Sequence, residues 1–166
     1  MESKRLIDKQ KVEHHLEESL KHFVQMQDGI SELSKIIEFP LSAYSYQEIL
    51  TNPQYRAYSD QIIYRFSKLY DCMHMKLFAS IVQYEQIKSD NSLQESIKEL
   101  ENLSIITKPQ WLQLQKIHDE IDQECEEVEE TTMDILNQIF QMQHKLETII
   151  EKVSNHISKI QKSVDI

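Results

Sequence analysis

"DQIIYRFSKLYDCMHMKLF", Asp60 to Phe78, is the stretch on which the fold turns. Ile62, Phe66, Leu69, Met73 and Leu77 recur at steps of four, three, four and four. Apolar residues at that spacing line up on one side of a helix, so the segment reads as an amphipathic helix with a buried stripe. Tyr58 before it and Ile81 after it continue the stripe, which predicts a helix from Tyr55 to about Tyr84, bent near Cys72–Met75. Asn52 and Pro53 supply its start. An asparagine side chain accepts from the free amides of a first turn, and proline at the first helical position has no amide to leave unpaired.

Working outward, Leu16, Leu20, Phe23, Ile30, Leu33 and Ile37 mark one face of a long helix from about Lys4 to Phe39. Gly29 either weakens that helix or marks a close contact, and Pro40 ends it, because the residue before a proline avoids helical geometry. "LSAYSYQEILTNP", Leu41 to Pro53, reads as a short helical turn and a loop. Beyond the central helix, "SDNS" breaks the pattern, and Ser92 with Glu95 forms a capping box that opens a short helix to about Leu103. Thr107 and Gln110 repeat that logic, with Pro109 in the first turn of a helix carrying Trp111, Leu114, Ile117 and Ile121. A last helix from about Thr132 carries Leu136, Phe140, Leu146, Ile150, Val153, Ile157 and Ile160. The sum is an all-α chain, an up-and-down bundle of four or five helices joined by short loops, in a single domain over residues 1–166.

Composition agrees. The chain has one glycine, Gly29, and three prolines. A Rossmann-type sheet or a glycine-rich phosphate loop needs far more turn glycine. The formal net charge of −10 argues against a broad nucleic-acid surface, which needs clustered Lys and Arg to neutralise phosphate. Cys72 and Cys125 show no paired motif and read as reduced thiols of a cytoplasmic protein. The N-terminus is polar, with no signal peptide, and no apolar run approaches membrane-spanning length.

Several groups of residues carry chemistry in principle. His14, Glu18 and His22 stand at i, i+4 and i+8, but a bundle metal site needs matching ligands from facing helices, and no second Glu-x-x-His pair completes one. The stripe reads as a solvated face, and neither a metal nor a cofactor is expected. Tyr55, Arg56, Tyr58, Tyr64, Arg65 and Tyr70 interleave aromatics with positive charge, a pattern that stacks bases or grips phosphate. The plainer reading sets the tyrosines at the core edge and the arginines on surface carboxylates. Between Asp119 and Glu130 lies an acidic block, with no Lys or Arg from there to Lys145. It repels phosphate and suits a basic partner.

Two stretches together resemble one branch of the HEPN superfamily, small helical nucleotide-binding or ribonuclease domains common in prokaryotic toxin–antitoxin pairs. In Asp60–Phe78, residues Asp60, Tyr64, Arg65, Phe66, Ser67, Lys68, Leu69, Asp71, Met73, Lys76, Leu77 and Phe78 fit that branch's signature. Further on, Trp111, Leu114 and Glu124 fit a second signature, W-x-x-L-R-x-x-R-N-x-x-A-H-E-Y, and the resemblance covers about Gln54 to Val128. In active members of the family the Arg of an R-x4-H motif stabilises phosphate charge and the His moves a proton. A Tyr two residues later can be modified by a nucleotidyltransferase partner, and the site is thought to form where two protomers meet.

Every chemical position departs from that motif. His118 stands for the Arg, Asp119 for the Asn, Asp122 for the small residue, Gln123 for the His and Cys125 for the Tyr. The resemblance therefore implies a kept scaffold with altered chemistry. It implies a homodimer, possible pairing with a nucleotidyltransferase, and binding through Arg65, Lys68 and His118 rather than catalysis. An active metal-independent ribonuclease using the altered residues, and a helical scaffold or adaptor without a nucleotide ligand, stand as the alternatives.

Overall fold

A computed structural model of the chain describes residues 2–85, 93–123 and 129–164. The fold is all-α. The elements are α1 (Glu2–Ser34), α2 (Ala43–Thr51), α3 (Pro53–Cys72), a π turn (Met73–Leu77), α4 (Phe78–Tyr84), α5 (Leu93–Asn102), α6 (Lys108–Gln123) and α7 (Glu129–Val164), with no strand among the described residues. A π turn occupies the place where a bend was expected, near Cys72–Met75. Helical backbone runs through it, with Cys72 and Phe78 both right-handed helical at its ends.

The capping signals act as their chemistry requires. Asn52 Oδ1 accepts from the amides of Gln54 and Tyr55 at 2.9 and 3.3 Å. Thr107 and Gln110 close a reciprocal box, each side chain accepting from the other's backbone amide at 3.3 and 3.1 Å. A third box lies where a turn and loop were expected: Ser42 and Ser45 satisfy one another's amides at 3.2 and 2.9 Å and open α2, a full helix. The box proposed at Ser92, together with "SDNS", lies outside the described residues.

The chain divides into two compact units. One comprises Met1–Leu20, Asp71–Leu112 and Lys145–Ile166. Its buried residues include Val12, Leu77, Phe78, Ile81, Leu100, Trp111, Leu146 and Val153. The indole of Trp111 meets Phe78 edge-on at 5.3 Å and His74 at 5.7 Å. After α5, Ser104 takes the left-handed conformation at φ 58°. Ile105 donates to Leu100 O and Ser104 to Glu101 O, both at 2.9 Å, which completes a Schellman cap with buried Leu100 and Ile105 as its apolar pair. A serine accepts that backbone at a cost of about 1–2 kcal/mol that glycine would not carry.

The other unit comprises Lys21–Tyr70 and Gln113–His144. Phe23, Met26, Ile30, Leu33, Ile62, Phe66, Leu69, Leu114, Ile117, Ile135 and Ile139 are buried here. Gly29 marks a close contact: a Cβ built on it would lie 2.9 Å from Ile62 Cγ1 and 3.3 Å from the Tyr58 carbonyl oxygen. α1 ends at Ser34, several residues before Pro40, and the Leu33 carbonyl accepts from both Ile36 and Ile37 in the turn that follows. The strand of chain that follows is clasped by Asn137 on α7, whose Oδ1 accepts from Leu41 N at 2.6 Å and whose Nδ2 donates to Leu41 O at 3.1 Å. Phe39 stacks on Phe140 at 4.5 Å and 9°.

The buried line of α1 departs from its apolar pattern at Ser19 and Leu20. Ser19 is fully buried while Leu20 is 45% exposed. The Ser19 hydroxyl donates to the His15 carbonyl at 2.8 Å and lies 3.3 Å from Cys72 Sγ. A small polar residue thus fills a position where the stripe predicts Leu20.

Candidate functional site

Arg65 and Lys68 on α3 gather about one aromatic ring. Tyr64 is 54% exposed, with the Arg65 guanidinium 5.2 Å and the Lys68 ammonium 5.5 Å from its ring centre. Arg65 does not cap a carboxylate among the described residues. Its Nη1 lies 3.1 Å from Nδ1 of His22 on α1. A guanidinium only donates, so His22 Nδ1 is the acceptor and the His22 proton sits on Nε2. His22 is therefore drawn into a pair with Arg65 instead of a ligand stripe. The remaining tyrosines follow the plainer reading: Tyr55 and Tyr58 are half-buried and Tyr70 is buried.

His118 projects from α6 onto Tyr70. The two rings stack at 4.2 Å and 23°. Asp119 Oδ1 and Asp122 Oδ2 stand 3.9 and 3.6 Å from His118 Nδ1, and the His118 side chain keeps 13% of its surface against 56% and 63% for the two aspartates. The structure thus pairs His118 with a tyrosine of α3 that is not among the matched signature positions, a partnership that spacing within α6 could not announce. Gln123 is exposed at the end of α6. Glu124 and Cys125 lie outside the described residues. Trp111, Leu114 and Ile117 are buried as their spacing predicts, and Ile121 is half-buried.

Signature residues also line a cleft of about 490 Å³. Asp60, Tyr64 and Ser67 of α3 form one wall, Tyr46 of α2 another, and Arg56 is its cation. A second concavity of about 500 Å³ is bounded by α6 and α7. There Glu120 lies 3.7 Å from Lys116 Nζ and accepts from Gln138 Nε2 at 2.9 Å.

A different group stands on the N-terminal part of α1, in the other unit. Lys76, carried by the π turn, donates to both oxygens of Glu18 at 2.9 and 3.3 Å, and that pairing raises the lysine above its ordinary value. Burial pushes His15 below its ordinary value, helped by neighbouring His14 and opposed by Glu18. Burial pushes the Cys72 thiol up, so it is protonated and a poor nucleophile at neutral pH. Sequence spacing named His14 and Glu18 but passed over His15 and Lys76. His15 lies one residue off the stripe, and Lys76 reaches Glu18 only because the π turn sets it there.

No family model, curated protein or solved structure matches the chain.

Proposed function

We propose that this chain is a HEPN-like helical protein that acts by binding, not by cutting RNA. It works as a homodimer through the α6 face bearing His118, Asp119 and Gln123, in the cytoplasm of a prokaryote, in a setting related to toxin–antitoxin systems and beside a nucleotidyltransferase. The observation that carries the reading is the environment of His118. The position where the family pattern has an arginine holds an imidazole stacked on Tyr70 at 4.2 Å, with two carboxylates within 4 Å of its Nδ1.

That arrangement is hostile to phosphodiester cleavage. A transition state gathering negative charge needs fixed donors or cations aimed at it, and Asp119 and Asp122 place the opposite charge there. Gln123, where the pattern has its histidine, has no proton to exchange at neutral pH. Loss of a general acid or base removes roughly 10²–10⁴ in rate. Binding remains open to the chain through Tyr64 with Arg65 and Lys68 on its flanks, and through the cleft walled by Asp60, Tyr64 and Ser67.

A ribonuclease assay on the purified chain tests this, run beside a variant with His118→Arg, Asp119→Asn, Asp122→Ala and Gln123→His. The expected result is inert wild type and a variant that cuts. Cleavage by wild type that disappears in His118→Ala would overturn the reading and make the chain an active ribonuclease with an altered site. A sedimentation mass of one chain at micromolar concentration would remove the homodimer.

A further inference from the structure

His14, His15 and Glu18 each offer a donor atom, and these atoms lie within 4.8 Å of one another. The two rings stand 5.5 Å apart, tilted by 58°. His15 Nδ1 is buried and has no hydrogen-bond partner among the described residues. Glu18 Oε2 stands 3.8 Å from it, beyond hydrogen-bond reach. Buried polar nitrogens are nearly always satisfied, so this one marks an unfilled interaction. Glu18 already holds a cation, the Lys76 ammonium. That lysine sits in a π turn, a rare distortion found frequently at functional sites.

We propose that His14, His15 and Glu18 bind one divalent ion of the zinc class, which displaces Lys76 from Glu18. The ligand set decides the class. Two imidazoles and one carboxylate suit zinc and its transition-metal neighbours, whereas magnesium and calcium take oxygen ligands. Three protein donors leave a fourth position for water. Metal–nitrogen bonds near 2.0 Å put tetrahedral donors about 3.3 Å apart, so the group must close by roughly 1.5 Å or less. His14 is exposed and Glu18 half-buried, so their side chains have room to turn. The original stripe could not do this. Eight residues of helix separate His14 from His22, a rise of about 12 Å, and His22 is paired with Arg65. The site shares no residue with the surface argued to act in binding, and either reading can fail without the other.

The test is titration of the full chain with zinc ion alone, followed by calorimetry and by competition with a chromogenic chelator. Wild type is compared with His15→Ala, Glu18→Gln and Lys76→Met, each checked for helix content. The site predicts one equivalent of zinc weakened by about tenfold or more in His15→Ala and Glu18→Gln. It also predicts tighter binding in Lys76→Met, where the competing ammonium is gone. Equal zinc affinity in wild type and Glu18→Gln, an isosteric change that keeps the fold, overturns the site. Unchanged or weaker binding in Lys76→Met overturns the displacement. The remaining histidines are common to all four proteins, so binding at them cancels in the comparison.

Discussion

Two histidine–carboxylate groups stand on helices of this chain with the same helical spacing and different surroundings. On α6, His118 has Asp122 one turn on, and Tyr70 of α3 covers its ring at 4.2 Å. On α1, His14 has Glu18 one turn on, and the π turn sets Lys76 on that carboxylate at 2.9 Å. A facing aromatic ring draws a histidine into the packing, where it acts as a flat apolar plate. On α1 the facing group is an ammonium, which pairs with the carboxylate and leaves His14 exposed. A residue's own helix decides which groups are neighbours, and the helix opposite decides what they do.

The largest effect expected from breaking this contrast is on the α6 side. Tyr70 is 5% exposed, and Tyr70→Ala removes both a buried ring and the plate under His118. Urea unfolding should show a loss of about 3–5 kcal/mol. A loss below about 1 kcal/mol would mean that the ring contributes little to packing and that His118 is held by something else.

The α1 side is sharpened by Cys72, whose thiol burial pushes up. In a Cys125→Ser background, iodoacetamide at pH 8 should label native Cys72 much more slowly than the urea-unfolded chain. The sign for stability follows from the raised value. The unfolded chain ionises first, so the stabilising contribution is complete below the ordinary thiol value and is lost as pH rises through the folded one. Labelling as fast in the native as in the unfolded chain would show the pocket around Ser19 and Cys72 to be open.

The smallest effect belongs to Lys76→Met. The Lys76–Glu18 pair is exposed, and exposed ion pairs contribute little to stability. The urea midpoint should stay where it is in wild type. A clear drop would make Lys76 a structural residue and remove the contrast with Tyr70.

The Asp60–Phe78 stretch shows how much was legible. Every apolar position read from its spacing, from Ile62 to Leu77, is buried, and a π turn lies where a bend was expected, near Cys72–Met75. Caps at Asn52 and Thr107 were equally legible, since a cap is a local hydrogen bond between residues two or three apart. The helix α2 was not, because a serine pair is a weaker capping signature than Ser with Glu. Nor was the end of α1, which closes on the Leu33 carbonyl before proline acts.

The candidate sites divide in the same way. His118, Asp119 and Gln123 could be named as substituted positions from sequence, but their exposure and the Tyr70 stack could not. Arg65 was expected on a carboxylate and meets His22 instead. Asn137 gave no signal at all, yet it clasps Leu41 from 96 residues away.

The sequence by itself determined that this chain is helical, where α3 and α6 start, and most of the residues that enter the core. Those properties depend on apolar periodicity and on hydrogen bonds between residues close along the chain. Only the tertiary structure decided that Tyr70 covers His118, that His22 answers Arg65, and that Lys76 holds the carboxylate beside His14 and His15. Each of those pairings joins groups more than forty residues apart, and no local pattern encodes which side chain a distant helix presents.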